Sequence, residues 1–182
     1  MSALGRGPWA QARGIWPVLV PLRIPALVVA AFVSSRIQTS LDAIASRLDG
    51  ECEWLVANGV LPVDLVTRNR QLAETALRPW TPVFIHGDLQ VAHVFVDGDE
   101  VTGVVDWSEA SQGDALFDVA ILTLGHKEHL DDVVAGYGTD VDRDLVRAWW
   151  SLRCLTDVRW LAEHGYGSPE EFPEVAVLRS RM

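Results

Sequence analysis

The sequence predicts an α+β domain, mostly helical, built around one small β-hairpin. Three observations predict it. Apolar residues recur at three- and four-residue spacing through several long segments, as in helices with one buried face. Between those segments lie short runs rich in β-branched residues, Val83–Ile85, Val94–Val96 and Val101–Val105, too brief to be helices. Asp97-Gly98-Asp99 separates the last two runs, and Asp-Gly between alternating apolar residues is a strong hairpin signal.

Taken in order, residues 1–36 form an atypical apolar, proline-rich segment. Pro17, Pro21, Pro25 and Arg23 interrupt its apolar run from Ile15 to Val33, which makes a poor membrane helix. Arg6 and Arg13 before an apolar stretch ending in Val29-Ala30-Ala31 leave a signal peptide as one reading, and a strand and linker from a larger unit as another. The domain proper spans 37–182. A first helix starts at Ile37, with Leu41, Ile44, Leu48 and Leu55 on its buried face, a weak point at Gly50 and a stop at Gly59. A second runs from an Asp64 N-cap to about Arg78, before Pro79.

The hairpin is followed by a polar loop, Ser108–Asp114, and a helix capped by Asp114 with Leu116, Val119, Ala120 and Leu124 inward. A short helix near Glu128–Tyr137 comes next. The longest begins at Asp140 or Asp142 and stops at Gly165, with Trp149, Leu152 and Leu155 in the core. Trp149, Trp150 and Trp160 read as packing residues. Ser168-Pro169-Glu170-Glu171 is a capping box that opens a last short helix.

Composition narrows the function. Of 182 residues, 49% are hydrophobic, enough for a core without disulfides or a structural metal. Cys52 and Cys154 have no metal-like spacing and read as free thiols in a reducing compartment, the cytoplasm. Net charge is −10, and residues 101–150 alone carry −7. That excludes nucleic acid as a partner, since a basic face is absent, while it suits a cationic substrate or a bound divalent ion. No stretch suits a membrane.

The ionisable residues concentrate in one place, at the ends of the short strands: His86, Asp88, His93 and Asp106. Charged groups at the mouths of apolar strands are costly unless paired or used. The string H-G-D-L-Q-V-A-H, then V-V-D-W, has the order and spacing of the kinase catalytic loop H-R-D-x-x-x-x-N followed by a metal-binding Asp. Phosphoryl transfer needs such a set: a carboxylate to take the acceptor proton, and further ligands to hold the ion on the nucleotide phosphates. Glu109 and Asp114 follow where a substrate could be met. A metal-dependent hydrolase with His86, Asp88, His93 and Asp106 all as ligands is an alternative.

HGDLQVAHVFVD followed by VTGVVDWSEASQGDALFDVA resembles the aminoglycoside phosphotransferase family of small-molecule kinases, closely from Pro82 to Leu124. The resemblance implies the C-terminal lobe of a protein-kinase-like fold, with Asp88 as catalytic base, His86 as its brace, Asp106 as metal ligand and Asp118 as a structural tie to the loop. The family commonly has asparagine where this chain has His93, but the macrolide phosphotransferase branch is similar to this chain there and in VTGVVDWSEA. It also implies Mg²⁺ with ATP or GTP as phosphate donor, and a hydroxylated small-molecule acceptor such as an aminoglycoside or macrolide antibiotic. The family's N-terminal lobe carries a nucleotide-binding lysine in a twisted sheet, whereas the only lysine here is Lys127. That lobe is expected to be missing, which leaves a catalytically silent, ligand-binding remnant as the second reading.

Overall fold

The computed structural model describes residues 41–98 and 100–180. The expectations for residues 1–36, for a helix start at Ile37 and for Asp99 in the hairpin turn lie outside them. In order, the elements are α1 (Leu41–Ala57), α2 (Val63–Glu74), β1 (Val83–Ile85), β2 (Val94–Asp97), β3 (Glu100–Val104), β4 (Ser111–Gly113), α3 (Ala115–Thr123), α4 (Leu130–Tyr137), α5 (Arg143–Glu163) and α6 (Pro173–Arg179). Single 3₁₀ turns at Val91–His93, Trp107–Glu109, Lys127–His129 and Pro169–Glu171 join several of them. The chain is thus mostly helical with small antiparallel sheets, as its periodicity predicts.

Local chemistry sets most boundaries. α1 runs without interruption through Gly50 and ends before Gly59, whose φ of +64° reverses the chain. Asp142 caps α5 through its side chain, accepting from the N–H groups of Asp144 and Leu145. Asp114 caps α3 in the same way, accepting from Leu116 N–H at 3.1 Å. Three expected boundaries shift. α2 starts two residues early, with Pro62 rather than Asp64 at the N-cap. It also stops at Glu74, because the next N–H groups, those of Thr75, Ala76 and Leu77, bond three residues back and tighten the chain out of the helix. The Ser168 capping box is present, but it opens a single 3₁₀ turn, and α6 begins only at Pro173.

The two sheets are small and antiparallel. β2 and β3 form the expected hairpin, with Val94 opposite Val104 and a bulge between Phe95 and Val96. The polar loop after it is in part a strand: β4 pairs with β1, Val83 opposite Gly113 and Ile85 opposite Ser111. Ser-Gln-Gly has no apolar alternation, so only the backbone pairing reveals it.

Helix α5 is the axis, packing on α1, α2, α3 and α6. Its C-terminal half joins α1, α2 and α6 in one apolar cluster with Leu55, Leu155, Val158 and Leu178; its N-terminal half joins α3 and α4 in another with Val133, Val146, Trp149 and Trp150. Asn69, fully buried, links three helices: its amide donates to Leu178 O and its carbonyl accepts from Ser151 Oγ. Trp149 and Trp150 pack as expected, but Trp160 does not. It is 49% exposed and stacks on His164 and Tyr166 at the end of α5. Leu155→Ala is expected to cost about 2–5 kcal/mol, read as a lower urea midpoint at unchanged slope. No described helix is long and apolar enough to cross a membrane.

Candidate active site

The loop after β1 is pinned from below. Asp118, one turn into α3, accepts from the N–H of His86 at 2.7 Å and of Gly87 at 2.9 Å. Burial raises the Asp118 pKa, and these two donors oppose the rise. The His86 ring, 3% exposed, lies against Trp107, with centroids 4.6 Å apart. Its Nδ1 accepts from Asp88 N–H at 3.2 Å and its Nε2 donates to Val105 O at 2.9 Å. This tautomer follows from the hydrogen bonds. Both ring nitrogens are used, so His86 braces the backbone of Asp88 and ties it to the end of β3.

His93 is held differently. Its Nδ1–H donates to the Asp88 carbonyl at 2.8 Å, which leaves the Nε2 lone pair directed elsewhere. That nitrogen lies 3.7 Å from Asp106 Oδ2. Asp106 has φ +62°, the only non-glycine among the described residues in the left-handed region. Aspartate tolerates that conformation better than most residues, and strained backbone tends to cluster at functional sites. Here it turns the chain sharply from β3 into the next 3₁₀ turn, beside His93.

The pair His93 Nε2 and Asp106 Oδ2 suits a divalent ion that arrives with other oxygen ligands. An imidazole whose second nitrogen donates to a backbone carbonyl has the usual outer bond of a metal-binding histidine. Mg²⁺ is commonly held by one or two protein groups plus phosphates and water, although imidazole is a softer donor than it prefers. Among the described residues no three His, Cys, Asp or Glu side chains converge to hold a metal. The four-ligand hydrolase reading therefore fails, and His86 has no free lone pair to offer it.

The Asp88 carboxylate is 18% exposed and has two side-chain partners that the sequence did not disclose. Gln90 Nε2 donates to both of its oxygens, at 3.0 and 3.1 Å. Arg153, from α5, donates through Nη2 to Oδ1 at 2.9 Å, and through Nε to Asp157 Oδ2 at 2.8 Å. Burial pushes the Asp157 carboxyl up to about 6, against the Arg153 charge and hydrogen bond, while Glu174 and Asp88 add to the rise.

The sign of the linkage follows. With a folded pKa above the unfolded value of about 3.9, Asp157 contributes stability that is full below pH ~4 and is lost as pH rises through ~6. The loss is on the order of 1–3 kcal/mol. From pH 4 to 7, wild type is expected to lose stability relative to Asp157→Asn in denaturant unfolding. Parallel curves would show that the group is not buried as described.

An open cleft of about 240 Å³ runs beside the loop, past Gly87, Glu109 and Arg153, over a floor that includes Trp80, Phe117 and Trp149. Arg47 and Asp114 also line it, each in an ion pair, with Glu51 and Arg78. Glu109 is exposed on the 3₁₀ turn and makes no ion pair among the described residues. Asp114 is buried, its oxygens taken by Leu116 N–H, Arg78 and Trp149 Nε1. What it visibly does is cap α3 and anchor Arg78.

A loop braced by a histidine, a carboxylate at its centre and a second aspartate just past the returning strand agree with one comparison. The family model of the phosphotransferase enzyme family, APH, matches residues 39–164. The chain belongs to that family. Its fold is shared with solved structures of macrolide 2′-phosphotransferase type I (TM-score 0.66, 20% identity, 93% of this chain and 59% of that one) and of a variant of aminoglycoside 2′-phosphotransferase-IIIa bound to GDP (0.67, 21%, 93% and 60%). Macrolide 2′-phosphotransferase MphH from Brachybacterium faecium is also similar (0.58, 20%, 94% and 61%). The chain thus spans about three-fifths of the length of these structures.

Within this phosphotransferase-family fold, His86, Asp88, His93 and Asp106 lie around one loop, and Glu109 lies beside it at the cleft. Asp114 also lines the cleft, but buried, as the N-cap of α3. Gln90 and Arg153 were missed. Gln90 sits inside the motif, where a side chain two residues from a carboxylate can bond back to it. Arg153 has only an i,i+4 partner, Asp157, to mark it, and such pairs are common on any helix.

Proposed function

We propose that the chain is the acceptor-binding, base-carrying part of a small-molecule kinase that moves the γ-phosphate of ATP or GTP to a hydroxyl group. Asp88 takes the proton of the acceptor hydroxyl as its oxygen bonds to phosphorus and the bond to the leaving nucleoside diphosphate breaks. Asp106 and His93 would hold the divalent ion, Mg²⁺ in this reading, which supplies charge neutralisation at the phosphates. His86 keeps the loop in place. The single observation that supports this most is a solvent-reachable carboxylate fixed between Gln90 and Arg153, on the same loop as a histidine with a free Nε2 beside Asp106.

The cleft also bears on the acceptor. The acidity of the C-terminal half is not concentrated there: two arginines and an aromatic floor line it, and of its two carboxylates Asp114 is paired with Arg78, while Glu109 makes no ion pair among the described residues. A polycationic aminoglycoside would meet few free carboxylates. An acceptor with a largely apolar body and one amine near its reacting hydroxyl, as in a macrolide, fits better, with the amine toward Glu109. A nucleotide donor would suit a cytoplasmic enzyme.

Incubation with Mg²⁺, ATP or GTP, and a panel of macrolides and aminoglycosides tests the proposal by mass spectrometry of the products. Phosphorylated macrolide is the expected product. The second reading, a silent ligand-binding remnant, draws on Lys127 being the only lysine of this sequence, exposed and far along the chain from the loop. Macrolide binding by calorimetry without turnover would establish it in place of the first.

A further inference from the structure

We propose that Arg153 is a positioning residue for Asp88, and that Asp157 holds Arg153 in the place where it can act. The proposal rests on the kinase reading for its catalytic consequence, but its geometry stands alone. The bonds at His86 and Gly87 fix only the backbone of the loop, while the Asp88 side chain keeps two free torsions. Gln90 donates to both carboxylate oxygens, yet it is exposed and on the same loop, so it moves with what it holds.

Arg153 lies 65 residues away on α5, beside Cys154 and Leu155, both fully buried. It thereby ties the carboxylate to the helix that packs on α1, α2, α3 and α6. A guanidinium has a planar fork of donors, and both arms are committed here, Nη2 to Asp88 Oδ1 and Nε to Asp157 Oδ2. A lysine ammonium is a point charge without that fixed fork, so it does not hold the two bonds in the same directed geometry. Arg153 also lines the cleft beside the loop, and with Gln90, Asp157 and Glu174 it lines a second cavity of about 290 Å³. It forms the wall between the two.

One chemical detail follows. Because Arg153 takes Oδ1, the other oxygen is left with Gln90 at 3.1 Å and the His93 ring at 3.8 Å. Oδ2 is therefore the oxygen left to receive the acceptor proton. Positioning, rather than added basicity, is what Arg153 supplies.

The Gln90 side-chain amide reports on Asp88 without bonding to Arg153 or Asp157, so ¹⁵N-labelled full chain tests the link by NMR in the wild type and in Arg153→Lys, Asp157→Asn and Glu174→Gln. Arg153→Lys and Asp157→Asn are expected to move the Gln90 amide resonances. Glu174→Gln, which removes a charge from the same cavity but touches neither bond, is expected to leave them in place. Unchanged Gln90 resonances in the first two variants, or an equal shift in all three, would overturn the proposal.

Kinetics adds the catalytic arm: Arg153→Lys is expected to lower kcat on the order of tenfold with KM for the acceptor nearly unchanged. A drop in kcat matched by a rise in KM would assign Arg153 to acceptor binding instead. A wild type without turnover refutes the kinase reading alone, and the NMR result still decides whether the clamp exists.

Discussion

Asp88→Asn is expected to lower kcat for phosphoryl transfer by about 10²–10⁴-fold with little change in acceptor KM. The substitution is nearly isosteric, and asparagine can still accept a hydrogen bond from Arg153, so the loop and its contacts should survive. What disappears is the ability to take a proton. If Asp88 is the base, the barrier rises by about 3–5 kcal/mol, and binding, which happens before the proton moves, is spared. Initial rates at saturating nucleotide, with circular dichroism to confirm folding, measure this. Turnover equal to wild type would remove Asp88 from the chemistry.

Gly87→Ala carries the other large expected effect, through geometry. Gly87 has φ +84°, which an alanine adopts only under strain. Its added Cβ would also lie 2.4 Å from the backbone oxygen of Glu109 and 3.0 Å from its carbonyl carbon. Backbone cannot rotate away as a side-chain tip can. Either the loop bearing Asp88 lifts, or the turn bearing Glu109, three residues after Asp106, is displaced. We expect a stability loss of about 2–4 kcal/mol, read by urea unfolding. Transfer should fall about 10²-fold even where the variant is fully folded, since a displacement near 1 Å is that damaging. Gly113→Ala is the informative control. Its new Cβ would meet the Ile85 side chain at 2.5 Å, at the Cδ1 tip that can swing aside, so the effect should be clearly smaller. Equal effects at both positions would mean that the contact between loop and turn is not what makes Gly87 necessary.

How legible the site was depends on how local each part is. The run from His86 to His93 could be read directly, because its members lie on one loop and its spacing is that of a known catalytic loop. Asp106 could be read because a two-stranded hairpin of defined length returns it to the same place. The caps at Asp114 and Asp142 and the capping box at Ser168 could be read for the same reason: their bonds run two or three residues along the chain. α2 shows the limit of such reading, since its end was decided by a change of hydrogen-bond pattern that composition does not mark.

By itself, then, the sequence determined the family, the hairpin, the loop that carries Asp88 and the helices that frame it, because each rests on short-range bonding or on motif spacing. The tertiary structure alone decided four things. Ser111–Gly113 became a strand because β1 offered it backbone partners, Asp114 was buried under Arg78 and Trp149 as well as capping its helix, and Trp160 was left outside the core. It also brought Arg153 to Asp88. That contact arises only when α5 packs along the domain and delivers a side chain to a loop 65 residues earlier. No periodicity or propensity encodes such a meeting, since it depends on where two elements lie in space.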